Sequence, residues 1–244
     1  MRNLLAIFKR ELKGYFGSPV AYVFIVIFLL ATAGCTFFLS RFYENRVASL
    51  ASFFVWHTWL YLFLVPAVGM RLWSEERKSG TIEFLFTLPV TLMEAILGKF
   101  LAAWFFVGIS LALTFPIVFT VWYLGSPDNG VIFTSYLGSF LLAGAYLAVT
   151  CLFSAMSKNQ VISFVLSVVA CFCMVLLGVG VFTEFLNSIF PVWVSESISA
   201  FSFYTHYQEL QRGMVDSRDL IYFFSVIGFL LTANAVVLEL KKGE

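Results

Sequence analysis

Six stretches of this chain run for about twenty residues or more without a single Asp, Glu, Lys or Arg, and that spacing limits the fold more than any other feature. They are residues 14–40, 47–70, 100–127, 129–157, 159–183 and 220–238. A helix rising about 1.5 Å per residue needs roughly 20 apolar residues to cross the hydrocarbon core of a bilayer. The runs are continuously apolar instead of alternating, which argues for helices and against barrel strands of about 10 residues. Composition agrees: 61% of the 244 residues are hydrophobic and 12% charged, with mean hydropathy +0.93, too little polar surface to cover a soluble globule. The expected fold is an all-α integral membrane protein with six transmembrane helices.

The cations orient these helices, because Lys and Arg are retained on the cytoplasmic side. With the N-terminus inside, Arg2, Lys9, Arg10, Lys13, Arg71, Arg77, Lys78, Lys99, Lys158, Lys241 and Lys242 are cytoplasmic, eleven of the fifteen, leaving Arg41, Arg46, Arg212 and Arg218 outside. Both termini are expected in the cytoplasm. Ala31-Thr32-Ala33 and Ala33-Gly34-Cys35 resemble processing sites, but the apolar run continues through Phe37, Phe38 and Leu39, so an uncleaved first helix is expected.

Several functional classes are disfavoured. A net charge of +1, with cations spread along the chain, offers no basic field for nucleic acid. Cys35, Cys151, Cys171 and Cys173 all fall inside predicted spans, where thiols pack as small apolar groups. His57 and His206 have no ligand-type neighbour at metal spacing, so both are expected to be satisfied or interfacial and no metal is expected. Ion-coupled transport needs ionisable groups at mid-membrane, whereas Glu94, Lys99, Glu184 and Glu239 fall at helix ends. No nucleophile–base pair or carboxylate pair suggests an intramembrane enzyme. A nucleotide site is absent too: Gly98-Lys99 is followed by Phe100, and Met93 stands where a P-loop requires its first Gly. Energy for transport would have to come from an external ATPase.

Against this background the charged strip from Arg71 to Lys99 stands out, because it must lie in water or at the bilayer surface. Ile82, Leu85 and Phe86 recur at helical spacing. The spacing predicts a short amphipathic helix, capped by Thr81 after a break at Gly80 and ended by Leu88-Pro89. At the N-terminus Leu4, Phe8 and Leu12 form one stripe with Leu5 and Tyr15 beside it, which predicts an interfacial helix over 1–17.

The string Glu75-Glu76-Arg77-Lys78-Ser79-Gly80-Thr81-Ile82-Glu83-Phe84-Leu85, followed by Leu88-Pro89-Val90 and Gly98-Lys99, closely resembles the coupling segment of ABC-2 type permeases. A second stretch, from His206 through Arg212, Gly213, Asp216, Arg218 and Asp219 to Phe223, is similar to the segment before the last helix of the gliding-motility-associated permease subfamily. The resemblance implies a transmembrane subunit that pairs with a second permease copy or paralogue. It also implies docking on a cytoplasmic ABC ATPase that binds ATP and Mg, this chain having no cofactor of its own. Glu75, Glu76, Arg77, Gly80, Thr81, Glu83, Phe84 and Leu85 would carry ATPase coupling. Related permeases have short re-entrant helices ahead of the last span, so Trp193, Phe201, Phe203 and Tyr204 are candidates for an exterior gate.

The resulting layout places an elbow at 1–17, helices 1 and 2 at 18–70, the coupling segment at 71–95, helices 3 to 5 at 96–183, a re-entrant segment at 184–218 and helix 6 at 219–240. Thirty phenylalanines and no expected buried charge suggest an amphipathic or lipid-linked cargo, moved across a bacterial inner membrane. The alternative is a membrane scaffold or force-transmitting subunit that moves no substrate. A periplasmic or auxiliary membrane subunit and membrane lipid complete the expected partners. On helix 4, Ser135, Ser139 and Ala143 form a small-residue stripe suited to close packing.

Overall fold

The computed structural model describes residues 2–44, 47–82 and 90–241, and every regular element among them is helical. In chain order these are α1 (Arg2–Gly17), α2 (Pro19–Gly34), α3 (Ala51–Gly69), α4 (Arg71–Ser79), α5 (Leu92–Ala112), α6 (Pro116–Leu124), α7 (Asn129–Met156), α8 (Gln160–Leu176), α9 (Gly180–Ile189), α10 (Val192–Ser199), α11 (Phe203–Gln211) and α12 (Ser217–Leu240). Five helical stretches are long and apolar enough to cross a membrane: 19–39, 51–79, 92–124, 129–156 and 217–240. A sixth exists only if α8 and α9, bent by 71° at Gly178, count as one span. The chain is a multi-pass membrane protein.

Helix α7 is the axis of the bundle. From Leu141 to Cys151 every residue is buried, as expected for a helix that is apolar all round. Helices α3, α5, α8, α11 and α12 pack about it. Its small-residue stripe serves contacts within the chain: Ser139 Oγ lies 2.8 Å from Tyr207 Oη on α11. Tyr207 in turn donates to the Phe54 carbonyl of α3 at 2.9 Å. Helix α2 ends in a π turn over Cys35–Leu39, closed by Ser40 N donating to Cys35 O at 3.0 Å.

Several boundaries differ from the charge-free runs. Helix α5 starts at Leu92, because Thr91 and Glu94 form a reciprocal capping box. That span breaks after Ala112 and resumes at Pro116, which takes the first helical position, where its missing N–H costs nothing. At the N-terminus, α1 packs along α5 with Ile7 as its buried residue, while Leu5 points outward. Leu4, Phe8, Leu12 and Tyr15 are partly buried, and the Tyr15 ring stacks on Phe106 at 5.1 Å.

Two expectations about polar groups need correction. His57 is not interfacial: it is fully buried, enclosed by the rings of Phe28, Phe53, Phe54 and Tyr61, and neither ring nitrogen has a well-formed hydrogen bond to a described residue. Buried charge is present as well. Arg77, Lys99 and Asp219 are all buried, placed toward the ends of the bundle, where polar partners are available.

Candidate functional site: a buried ion cluster under the charged strip

The charged strip is only partly a surface feature. Its first third is α4, which continues α3 after a break at Met70 and buries Leu72, Trp73, Ser74 and Arg77. The N-terminal amides of α4 are short of intrahelical partners, and Ser154 of α7 supplies them. Ser154 Oγ accepts from Trp73 N at 3.0 Å and Ser74 N at 3.1 Å, and donates to Met70 O at 2.8 Å. Trp73 Nε1 reaches Cys151 Sγ at 3.3 Å, and Asn234 Nδ2 reaches the same sulfur at 2.9 Å. Cys151 is thus a shared acceptor joining α4, α7 and α12. Arg77 crosses to the end of α7 and donates to Ala155 O at 2.6 Å. Gly80 ends the helix in the left-handed conformation, φ 71°, with Arg77 and Lys78 in the last turn facing the negative end of the dipole.

Lys99, from the far end of the strip, lies beneath this helix at 3% exposure. Its ammonium donates to Glu76 Oε1 at 2.7 Å and Leu72 O at 3.2 Å. It also sits 3.5 Å from Glu11 Oε1 of α1 and 5.2 Å from the centroid of the Trp73 ring. Three helices that the sequence separates widely are therefore joined through one cation. Contact between α1 and α5 is close here: a Cβ on Gly98 would lie 2.8 Å from Ile7 Cγ2. Nearby, the Tyr15 hydroxyl faces Val68 O at 3.5 Å, and burial pushes its phenol well above the ordinary range. Lys241 adds another tie at this end, donating to Met156 O at 2.9 Å.

The expected coupling residues separate into groups. Glu75 and Thr81 are exposed and Glu76 is partly buried in the Lys99 cluster. Arg77 faces inward and Gly80 is a helix stop. Glu83, Phe84 and Leu85, with the amphipathic helix expected through Phe86 and Leu88-Pro89, lie outside the described residues. Glu11 was missed, although it is the only acid among Lys9, Arg10 and Lys13.

At the opposite end of the bundle, only two of the four aromatic candidates share a site. Trp193 and Phe201 are 71% and 67% exposed, Phe203 is buried with its ring 5.6 Å from Tyr146, and Tyr204 is intermediate. Phe201 and Phe203 line an apolar cavity of about 770 Å³ between α7, α8 and α12. The pairing that fixes this region is His206 with Asp219, Nδ1 to Oδ1 at 2.7 Å, with Nε2 2.9 Å from Ala200 O and the ring 3.8 Å from that of Tyr222. Asp219 lies thirteen residues from His206, which is why local spacing did not reveal the pair. Among the described residues no three His, Cys, Asp or Glu side chains converge to hold a metal.

Comparison with curated protein sequences gives no significant match. The family described as ABC-2 family transporter protein matches residues 45–238, from before α3 into the last turn of α12. The match covers α4 with Glu76, Arg77 and Lys99, and it includes the helices about α7. The chain therefore belongs to the ABC-2 transporter family, as a membrane permease component and not a catalytic ATPase.

Proposed function

We propose that this chain is the permease subunit of an ATP-driven transporter of a bacterial inner membrane. It receives motion from a separate cytoplasmic ATPase that binds ATP and Mg, and it works beside a second permease copy or paralogue. Both termini and α4 face the cytoplasm in this reading, and residues 75–93 form the docking surface, with Glu75 and Thr81 presented outward. The observation that carries it is the Lys99 cluster, which ties α4 to α1 and α5 through Glu76 and Glu11. A displacement of the docking surface is thereby delivered to three helices at once. The stretch from His206 to Phe223 supports the gliding-motility-associated subfamily as the finer assignment. The apolar bundle favours an amphipathic or lipid-linked cargo.

The test is capture and turnover. The purified chain, alone or with its paralogue, should retain a P-loop ATPase, and Glu75→Arg at the exposed face should lower cargo-stimulated ATP turnover without altering the permease fold. Failure to capture an ATPase, or unchanged turnover in a captured complex carrying Glu75→Arg, ends the coupling reading. ATP hydrolysis in vesicles with no vectorial movement of cargo transfers the assignment to a force-transmitting scaffold.

A further inference from the structure

Beside the Lys99 cluster lies a cavity of about 460 Å³, walled by α1, α2, α3, α4 and α5. Its interior is apolar, formed by Val20, Ala21, Phe24, Ile27, Leu64 and Val68 among others, and its mouth carries charge from Glu11, Arg71, Glu75, Glu76 and Lys99. Val20, Val23 and Ile27 are each about half exposed on α2, so the cavity is bordered by a bilayer-facing wall. This shape suits a molecule with an apolar tail and a polar head.

The charges at the mouth specify the head. Lys99 is occupied by Glu76 and Glu11, and Glu11 also pairs with Arg10 at 2.8 Å. Arg71 and Glu75 remain, exposed and in no ion pair with another described residue. They stand at i and i+4 on α4, a spacing that separates neighbouring Cβ atoms by about 5–6 Å. One cation and one anion at that separation match a zwitterion whose phosphate and ammonium are joined by two carbons. Glu76 lines the same cavity, but its Oε1 is held by Lys99 and its Oε2 is closed off from the surface, so Glu75 is the carboxylate left to accept at the mouth. A primary ammonium supplies N–H donors to it and a quaternary one does not.

We infer that this cavity is a binding site for an inner-leaflet phospholipid with a primary-amine zwitterionic head, phosphoethanolamine, its phosphate on Arg71, its ammonium on Glu75, and an acyl chain between α1, α2 and α3. The site goes beyond the coupling role, and only its assignment to the inner leaflet rests on the topology proposed with that role.

Gly14 gives a clean test, because it lines the cavity and a Cβ added there meets nothing within 4 Å. Gly14→Leu fills the space from a helical position where leucine is also the better helix former. The intact protein is purified in mild detergent, exchanged with vesicles containing equal phosphatidylethanolamine, phosphatidylcholine and phosphatidylglycerol, and its retained lipid measured by native mass spectrometry. Phosphatidylethanolamine should be enriched about tenfold over each competitor, the factor that corresponds to ~1.4 kcal/mol. Gly14→Leu should abolish retention, and Glu75→Gln should remove the head-group preference while leaving a lipid bound. Ala67→Leu, which fills the cavity from α3, is the second blocking variant in case Gly14→Leu proves poorly folded. Equal retention of the three lipids by the unmodified chain, or undiminished retention in a folded blocking variant, overturns the assignment.

Discussion

Replacing Lys99 by Met removes the cation from the cluster while keeping most of its length and apolar stem. At the observed 2.7 Å separation from Glu76, the attraction at an effective dielectric of about 20 is roughly 6 kcal/mol. Most of that is offset by the several kcal/mol needed to desolvate each ion. Removing one partner of a buried pair typically costs about 3–5 kcal/mol, because the other charge is left without compensation. The Glu76 side chain is 24% exposed and water softens the loss, so we expect Lys99→Met to destabilise by about 2–3 kcal/mol. For a chain of this size that is a fall in Tm of about 4–12 °C, at roughly 2–4 °C per kcal/mol. Glu76→Gln in the same background should recover part of the loss, giving a coupling energy of about 1–2 kcal/mol in a double-mutant cycle. Thermal unfolding of the four variants in one detergent reads this directly. Additive effects of the two substitutions, or a Tm for Lys99→Met within a degree of the parent, would refute the claim that the cation joins α1, α4 and α5.

Three further outcomes are expected. Tyr207→Phe deletes the hydroxyl shared by Ser139 and the Phe54 carbonyl and should cost about 1–2 kcal/mol; unchanged stability would show that α11 is held without it. Gly98→Val drives a side chain into Ile7 and should cost about 1–3 kcal/mol while exposing α1 to protease, whereas a protease-resistant α1 would contradict the close approach. In a cysteine-free background, Lys78→Cys should label only from the cytoplasm and Tyr123→Cys, which is 91% exposed, only from outside. The reverse pattern would invert the proposed topology.

The spans were legible because a charge-free run is a one-dimensional property, and a bilayer filters sequences by it. Span ends were less so. Thr91 and Glu94 spell a capping box that marks the start of α5, but the charge-free run begins only at Phe100, beyond Lys99. A charge-free run marks a span only where every charge lies in water. Lys99 defeats it, because the acids that allow its burial come from other helices, Glu76 being twenty-three residues away. The same holds for Asp219, whose partner His206 sits on a different helix. The burial of α4 is hidden for a related reason. Its polar residues suggest solvent, yet Ser74 and Arg77 turn inward to acceptors at Met70 and on α7. Sequence patterns report what faces a helix on average, whereas burial of a charge is decided by one neighbour.

The break at Met70 has a mechanical consequence. Ser154 fixes the joint by gripping Met70, Trp73 and Ser74 from the bundle axis, so α4 is an arm mounted on a fulcrum that belongs to the most deeply buried of the spans. Nine residues of helix make that arm about 13 Å long at ~1.5 Å per residue. A rotation of about 10° at the joint swings the Ser79 end by about 2 Å on that length. Glu76 lies partway along the arm and carries Lys99 with it, so a small angular input is geared down into a shorter, stiffer stroke at the base of α5.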